Sequence, residues 1–383
     1  MNLNLFFEIA SGKKFYPRND TNITLKVGIF SPYFDTLGGG ERYVFTFAEY
    51  CLQRNFDVEI FWDTEEVIAK AQQRFDLNLS KLKTNRKIYQ CFLSSASYLQ
   101  KIAKFFWMKK YDLLFFLTDG SIPFLAGKQN WLHFQVPFQL DGKNFATQHK
   151  LSKVNRVICN SFFTKRFIDK TFGIESEVIY PPVSIYDFEN DGTKKENIIL
   201  SVGRFDQIMN SKRQDVLINV FKKMCDQGLE NWQLVLVGGC QHNEDELLRL
   251  RKMAVNYPID FRVNASFSDL RQSYEKAKIY WHAAGFEVDE DKNPDQVEHF
   301  GISLVEAMAA GCLPIVCEAG GIKEIIEDKV NGYFWQSEDQ LQNITQNMIK
   351  DLTKEEEIII NAQKRAADFA KEKFFTQFDE RLK

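Results

Sequence analysis

Short apolar runs of strand length alternate with helical stretches along almost the whole chain. The first series comprises the runs 26–30, 58–62, 113–117, 131–135 and 156–159. A second series comprises the runs 198–202, 233–237, 259–263, 279–281 and 314–316. Regular alternation of strands and helices is typical of a mostly parallel sheet covered by helices on both faces. The sequence therefore predicts an α/β fold with two Rossmann-like domains in tandem.

The boundary between the two domains is predicted near residue 186. Pro181 and Pro182 are followed by a polar stretch from Asp187 to Asn197, and this combination is typical of a linker. The predicted units are an N-terminal extension, a first domain, a second domain and a C-terminal helix, at 1–24, 25–186, 187–365 and 366–383. Two domains of this kind bind a ligand in the cleft between them, outside the carboxyl ends of their strands.

Length and composition indicate a soluble globular protein. The chain has 383 residues, of which 44% are hydrophobic and 26% are charged, and this length fits two domains of common size. Its longest apolar runs have strand length and are far too short for a membrane span. The N-terminus has no signal-peptide pattern, and the seven cysteines are scattered singly. We therefore expect reduced thiols and a cytoplasmic protein.

The net charge of −3 conceals a basic stretch between Lys81 and Lys170, where sixteen Lys or Arg residues face four acids. Within it, the segment 101–110 interleaves cations with the rings of Phe105, Phe106 and Trp107. Such a segment suits an anionic membrane surface, which would place the protein peripherally on the inner face of a membrane. The alternative is a solvated helix with its rings packed inward, and both remain open. No nucleic-acid motif accompanies the basic stretch, so no nucleic-acid partner is predicted.

The stretch 298–311 carries two carboxylates, Glu298 and Glu306, eight positions apart. Apolar residues recur at helical spacing between two glycines, so the pattern predicts a helix across most of the stretch. The first amides of such a helix lack intrahelical partners and favour an anion, and they belong to Gly301, Ile302 and Ser303. One carboxylate before an anion site and one after it suit a sugar diphosphate.

This stretch resembles the Glu-x(7)-Glu signature of the retaining GT-B glycosyltransferases, specifically glycosyltransferase family 4. The match includes His-Phe-Gly at 299–301, and it continues through 312–316 and 320–326. The resemblance implies a GT-B fold, with an acceptor domain, a donor-nucleotide domain and a last helix that packs back on the first domain. It implies that Glu298 contacts the transferred sugar in catalysis and that Glu306 contacts the ribose. The donor would also meet Phe300, Gly301, Ile302 and Ser303.

A second motif follows the first strand of the second domain. Arg204 ends this strand, and Lys212 follows eight residues later. The pair resembles the family's Gly-Arg…Lys element, in which both cations hold the departing diphosphate. The spacer is longer than in many family members, so Arg213 is an alternative to Lys212. Both cations could instead be surface residues of a loop.

The first domain contributes a glycine loop and a histidine. Gly39 and Gly40 lie at the start of the first helix, where the backbone can approach a ligand closely. They resemble the family loop where acceptor and donor phosphate meet, whereas a dinucleotide fingerprint would need glycine at Tyr43. His133 ends a predicted strand and is expected to face the cleft. Its family counterpart lies near the transferred sugar, so a catalytic role is predicted, although a single histidine is often structural.

The acidic loop around Asp289 and Asp291 contains an Asp-x-Asp sequence without hydrophobic support. Such a run is usually solvated, so we predict no metal site. The resemblance likewise implies metal-independent transfer and no cofactor besides the nucleotide-diphosphate sugar, which is the donor substrate.

The resulting hypothesis is retaining transfer of a sugar to a glycan or lipid-linked acceptor. The resemblance implies front-face transfer, in which the leaving phosphate helps to deprotonate the acceptor hydroxyl. Two alternatives remain, a sugar-nucleotide epimerase or hydrolase on the same fold and a non-catalytic, nucleotide-binding partner subunit. The donor base, the sugar, the acceptor and the oligomeric state are not determined by the sequence.

Overall fold

The computed structural model of the protein describes residues 24–93, 96–188, 193–205, 211–240 and 244–382, without the side chain of Tyr98. The predicted N-terminal extension lies outside these residues, apart from residue 24. The described chain forms two α/β domains, each built on one sheet. This architecture agrees with the two tandem Rossmann-like domains expected from the sequence.

The first domain contains a seven-stranded parallel sheet in the order β3-β2-β1-β4-β5-β6-β7. Its strands are β1 Lys26–Phe30, β2 Asp57–Ile60, β3 Lys83–Thr84, β4 Leu113–Leu117, β5 Gln129–Phe134, β6 Arg156–Cys159 and β7 Glu177–Val178. Its helices are α1 Gly39–Gln53, α2 Glu66–Phe75, α3 Arg86–Gln90, α4 Tyr98–Met108, α5 Phe145–Leu151 and α6 Phe162–Phe172. The order reverses between β1 and β4, and this switch point is where doubly wound sheets bind ligands.

The second domain contains a six-stranded parallel sheet in the order β10-β9-β8-β11-β12-β13. Its strands are β8 Glu196–Val202, β9 Gln233–Gly238, β10 Ile259–Val263, β11 Ala277–His282, β12 Leu313–Cys317 and β13 Tyr333–Trp335. Its helices are α7 Gln214–Asp226, α8 Glu244–Met253, α9 Phe267–Lys276, α10 Ile302–Ala309, α11 Glu338–Lys350 and α12 Glu356–Ala366. Here the switch point lies between β8 and β11.

The central strands form because long apolar runs are buried on both faces of each sheet. All five residues of β4 and all five of β12 are buried, as expected for parallel strands covered by helices on both sides. The two-residue strands β3 and β7, together with β13, are the elements that the sequence pattern did not predict, because they are short edge strands.

The last helix, α13 Lys371–Leu382, packs against the first domain although it follows the second. Its buried Phe374 and Phe378 rings join the core that contains Tyr43 and Phe47 of α1. The carboxylate of Asp379 accepts a hydrogen bond from the Tyr50 hydroxyl at 2.8 Å. The chain therefore crosses between the domains twice, and α13 fixes this second crossing.

Three further contacts join the domains beside the cleft. The Glu324 carboxylate accepts the backbone N–H of Phe162 at 2.9 Å, at the start of α6. Arg166 of α6 forms an ion pair with Asp291 at 3.1 Å. The Gln139 side chain donates to the Asp291 carbonyl oxygen at 3.1 Å. Within the described ranges, no helix combines the length and the hydropathy needed to cross a bilayer.

Candidate active site

The carboxyl end of β1 leads into the glycine loop and the start of α1. Glu41 folds back over this loop, where its carboxylate accepts the backbone N–H of Gly38 at 3.0 Å and the Thr36 hydroxyl at 2.8 Å. Burial raises the pKa of Glu41, and these hydrogen bonds oppose the rise. Glu41 therefore shapes the loop from inside and is not directed to a ligand.

The first turn of α1 faces the first turn of α10 across the cleft. A Cβ placed on Gly39 would lie 3.0 Å from Cδ1 of Ile302, and one on Gly40 would lie 2.9 Å from Oε1 of Gln135. Gly39 therefore lets two helix N-termini, one from each domain, approach each other closely, and Gly40 leaves room for the Gln135 side chain. Unpaired amides and both helix dipoles favour an anion at this point.

Two glycine contacts hold the loop before α10. Gly301 caps the helix with φ +119°, a conformation that favours glycine. The backbone N–H of Gly321 donates to the carbonyl oxygen of Glu298 at 2.8 Å. A Cβ on Gly320 would lie 2.2 Å from that same oxygen, which no real side chain tolerates. Together these contacts fix where the Glu298 carboxylate is presented.

Glu298 lies at the centre of a cluster of charged groups. Its Oε2 atom is 2.6 Å from Nζ of Lys212 and 3.3 Å from Nε2 of His282, at the end of β11. Burial of this carboxyl favours a higher pKa, but Lys212 and His282 outweigh burial and hold the pKa well below its usual range. Glu298 is therefore an anion at neutral pH.

Glu306 lies within α10, about one turn after its first residue Ile302, and it is paired across the cleft. Its Oε1 atom accepts Nη1 of Arg42 at 2.7 Å, and its Oε2 atom accepts the Tyr274 hydroxyl at 3.0 Å. The side chains of Arg42 and Glu306 are only 13% and 8% exposed. Both carboxylate oxygens of Glu306, the residue predicted to bind the ribose, are thus hydrogen-bonded to protein side chains.

The three cations considered as partners of the diphosphate, Arg204, Lys212 and Arg213, lie in different surroundings. Lys212 reaches Glu298 because Gly203 leaves room for its stem, since a Cβ there would lie 2.8 Å from Cγ of Lys212. Arg204 is exposed at the end of β8. The guanidinium of Arg213 donates to the Phe286 carbonyl oxygen at 2.9 Å, so it is committed elsewhere. Of the two alternatives for the second cation, the structure brings Lys212 into the cluster.

The remaining donor-binding predictions divide between backbone and side chain. The Phe300 ring is buried in the core against Tyr180 and Phe369, so only its backbone borders the helix start. The Ser303 hydroxyl is 2.9 Å from the Tyr280 hydroxyl.

His133 is fully buried at the end of β5, contrary to the expectation that its ring faces the cleft. Its Nδ1 atom lies 3.1 Å from the carbonyl oxygen of Ile158, and its Nε2 atom lies 3.0 Å from the Gln135 side-chain amide. The ring also stacks on Tyr43, with 3.9 Å between centroids. Burial lowers the pKa of His133 to about 3, against the effect of the Ile158 carbonyl. The His133 ring is therefore neutral at pH 7, and both of its nitrogens have hydrogen-bond partners. The Gln135 side chain lies between the ring and the cleft.

The acidic loop is already paired by cations. Asp289 binds Lys292 at 2.8 Å, and Asp291 binds Arg166 of the first domain. In the part of the chain that the structure describes, no three His, Cys, Asp or Glu side chains are grouped to hold a metal ion.

Sequence reasoning missed two residues of the site, namely Arg42 and Tyr274. For His282, which ends a strand near the Glu298 loop, the sequence left a place in the site and a place in the core equally open. Arg42 lies two residues after Gly40 of the glycine loop, and His282 ends a strand. The position of each in the sequence therefore indicated that it could lie near the site. Tyr274 lies on α9, and its approach to Glu306 depends on how α9 packs against α10. No local pattern marks it.

Two family models match the chain. The one described as Glycosyltransferase Family 4 matches residues 37–185. The one described as Glycosyl transferases group 1 matches residues 184–365, which include both carboxylates.

Curated relatives match in part of their length. A Xenopus laevis protein named GDP-Man:Man(3)GlcNAc(2)-PP-Dol alpha-1,2-mannosyltransferase is 30% identical over 223 residues, covering 53% of this chain and 43% of that protein. The human protein of the same name is 26% identical over 244 residues, covering 58% of this chain and 47% of that protein. The match thus covers less than half the length of these relatives.

Solved structures match over nearly the whole chain. Anabaena HepE, crystallised with UDP and glucose, gives a TM-score of 0.69 at 19% identity, over 94% of this chain and 99% of that one. A glycosyltransferase from Rickettsia africae gives 0.74 at 15% identity, over 94% and 98%. These likenesses confirm the predicted fold. With the two family models, they show that the chain belongs to the GT-B glycosyltransferases of the family 4 type.

Proposed function

We propose that the protein transfers a sugar from a nucleoside-diphosphate sugar to a hydroxyl of a glycan or lipid-linked acceptor. The proposal rests chiefly on one observation, the ionised Glu298 held by Lys212 at 2.6 Å beside the start of α10. A carboxylate, an ammonium group and a helix N-terminus meet at the carboxyl ends of the two sheets. Together they provide binding partners for the sugar, the diphosphate and the nucleoside of a donor.

In this proposal each group has a separate task. Lys212 and the exposed Arg204 stabilise the departing diphosphate, together with the amides that open α1 and α10. Glu298 accepts hydrogen bonds from hydroxyls of the transferred sugar, and Glu306 accepts them from the ribose. The acids of the 289–291 loop are paired with cations, and no three metal-binding side chains are grouped among the described residues. From the family resemblance we propose front-face transfer with retention of configuration, in which the leaving phosphate deprotonates the acceptor and no metal takes part.

GDP-mannose is the first donor to test, and a polyprenyl-diphosphate oligosaccharide is the first acceptor. Both come from the names of the curated relatives, which match over part of their length. The nucleotide base and sugar are therefore proposals that rest on relatedness and not on a contact in the cleft.

The acceptor proposal is supported by an exposed hydrophobic surface on the first domain. We define the aromatic patch as Leu99, Ile102, Phe106, Phe124 and Phe145. Leu99, Ile102 and Phe106 recur at helical spacing on α4, and Phe106 is 59% exposed while Phe145 is 88% exposed. Exposed lysines of the predicted basic stretch flank it. Apolar side chains ringed by lysines suit the interface of an anionic membrane.

The patch is continuous across several elements. The Phe105 ring is 5.8 Å from that of Phe124, whose ring is 6.5 Å from that of His149. Phe145 lies 6.4 Å from the same histidine. The loops that carry Phe124 and the start of α5 follow the carboxyl ends of β4 and β5, which are the strand ends at which doubly wound sheets bind ligands. A membrane at this surface would bring a lipid-linked acceptor to the site.

The proposal is tested by incubating the protein with GDP- and UDP-sugars, with and without a lipid-linked oligosaccharide, and analysing products by mass spectrometry. We expect acceptor-dependent sugar transfer that persists in EDTA and gives an α-configured linkage by NMR. Turnover of the donor without any acceptor would favour the epimerase or hydrolase. Nucleotide binding without turnover of any donor would favour the partner subunit.

A further inference from the structure

We propose that Arg42 exchanges partners when the donor binds. Without donor it holds Glu306 across the cleft, and with donor it contacts the diphosphate after the ribose has taken Glu306. This inference rests on the proposed binding of the nucleotide at Glu306. It assigns to Arg42 a positioning role in the unliganded protein and a binding role in the complex.

The first observation is that Glu306 is fully engaged before any ligand arrives. Arg42 occupies Oε1 at 2.7 Å, and Tyr274 occupies Oε2 at 3.0 Å. Tyr274 belongs to the same domain as Glu306, whereas Arg42 comes from α1 of the first domain. A ribose diol that donates to this carboxylate must therefore compete with Arg42, the partner that domain movement can remove.

The second observation is that Arg42 has unused hydrogen-bonding capacity. A guanidinium has five N–H donors, and within the described residues the bond to Glu306 is the one made by the Arg42 side chain. The flat, forked arrangement of these donors matches phosphate oxygens. Arg42 can therefore bind phosphate oxygens with donors that its bond to Glu306 does not use.

The third observation concerns the position of Arg42 in its helix. It lies in the first turn of α1, where the helix dipole disfavours a cation, and only 13% of its side chain is exposed. Burying a charge at such a place is unfavourable unless an anion lies nearby. Glu306 is the anion paired with Arg42, and Asp187 is a second acid close enough to interact with it electrostatically. A diphosphate between the starts of α1 and α10 would be the paired anion in the complex.

The two proposed roles of Arg42 predict opposite effects on the affinity for a nucleoside and on the affinity for a nucleoside diphosphate. Removing Arg42 frees Glu306, so a nucleoside without phosphate should bind more tightly. The same change removes a phosphate partner, so the nucleoside diphosphate should bind more weakly. A residue that merely held the domains together would change both affinities in the same direction.

The test measures guanosine and GDP binding, with uridine and UDP in parallel, to the wild type and to Arg42→Ala by calorimetry and ligand-observed NMR. We expect guanosine or uridine to bind at least about 3-fold more tightly to Arg42→Ala, and the corresponding diphosphate about 10-fold more weakly. Arg42→Lys, which keeps the charge but loses the fork, should fall between the two proteins. Adding Glu306→Gln should abolish the gain for the nucleoside.

Arg166→Ala is the matched control, because it removes an interdomain ion pair outside the donor site. We expect it to leave the ratio of diphosphate to nucleoside affinity unchanged. Equal changes of both affinities in Arg42→Ala, or no change in either, would overturn the proposed exchange. If wild type binds no nucleotide at all, the proposed function itself fails, which is a separate outcome. Should Arg42→Ala not fold by circular dichroism, Arg42→Lys and Arg42→Gln provide the same comparison.

Discussion

At the scale of single residues, the site neutralises its own charges. Lys212 pairs with Glu298 within the second domain, and Arg42 pairs with Glu306 between the domains. If both acids and both cations bind the sugar nucleotide as proposed, the donor must exchange or share these pairs. The two carboxylates therefore differ, because one is held within a rigid domain and the other depends on the position of both domains.

For Glu298→Gln we expect turnover to fall about 100-fold, equivalent to about 3 kcal/mol of transition-state stabilisation, while GDP or UDP affinity changes less than about 3-fold. The amide keeps the shape of the side chain but accepts hydrogen bonds from sugar hydroxyls without a charge. Steady-state kinetics and calorimetry measure the two quantities separately. Glu357→Gln, an exposed acid on α12, is the control. Equal losses in turnover and nucleotide affinity would contradict the separate roles of the two acids.

The buried His133 makes stability depend on pH. Its folded pKa is depressed to about 3, whereas an unfolded histidine titrates near 6.5. Between these values the unfolded chain binds an extra proton, so stability falls as pH drops from about 6.5 towards 3.

We expect His133 to contribute on the order of 2 kcal/mol to the stability lost between pH 7 and pH 5. Urea unfolding of wild type and His133→Gln at both pH values measures this, because the glutamine does not titrate. The variant should lose correspondingly less stability over the same interval, whatever its stability at pH 7. Identical losses in the two proteins would show that the ring is accessible to protons in the folded state.

At the scale of elements, the start of α10 is positioned by a neighbouring turn more than by its own sequence. The 3-10 turn Gly320–Glu324 lies against the loop before α10, where Gly320 and Gly321 contact the backbone of Glu298 and His299. The loop before α10 can present Glu298 in this way only because these two glycines have no side chain.

We expect Gly320→Ala to lower the free energy of unfolding by about 2–4 kcal/mol and to abolish most transfer activity. A Cβ there would overlap the Glu298 carbonyl oxygen, at 2.2 Å, in a residue with φ +60°. Gly228→Ala is the control, because Gly228 has φ +95° but no atom within 4 Å of an added Cβ. The control should cost only about 1–2 kcal/mol of backbone strain and leave activity intact. Similar urea midpoints and activities for the two variants would contradict the role of the close contact.

At the scale of the whole molecule, the segment after β5 takes part in an interdomain contact and leads to one residue of the aromatic patch. Gln139 of this segment reaches Asp291 of the second domain, and Phe145 follows at the start of α5.

We expect the double variant Leu99→Ala with Phe106→Ala to reduce flotation with anionic liposomes at least about 5-fold. The reason is that two exposed apolar side chains would no longer insert into the membrane interface. Binding of the wild type should also weaken as salt increases and with neutral lipid. Ile360→Ala, at an exposed apolar side chain on α12, is the control and should float like wild type. Nucleotide binding should remain unchanged in both variants. Equal recovery of all proteins in the unbound fraction, at low and high salt, would make a soluble acceptor the better proposal.

The sequence by itself determined the two sheets, the helix that carries Glu306, and the family. Strands such as β4 and β12 are uniformly apolar because both of their faces are covered, and the helix that carries Glu306 is marked by apolar residues at helical spacing between two glycines. These features depend on local spacing and burial, which a sequence states directly.

Only the tertiary structure decided which charges meet. Arg42 and Glu306 are 264 positions apart, and Tyr274 and His282 reach the acids from other elements. Likewise His133, which the pattern placed at the cleft, is covered by Tyr43 and Gln135 because α1 packs over the end of β5. Contacts between distant segments depend on how helices and sheets pack together. That packing is set by the shapes of buried side chains throughout both domains, and not by any one stretch of sequence.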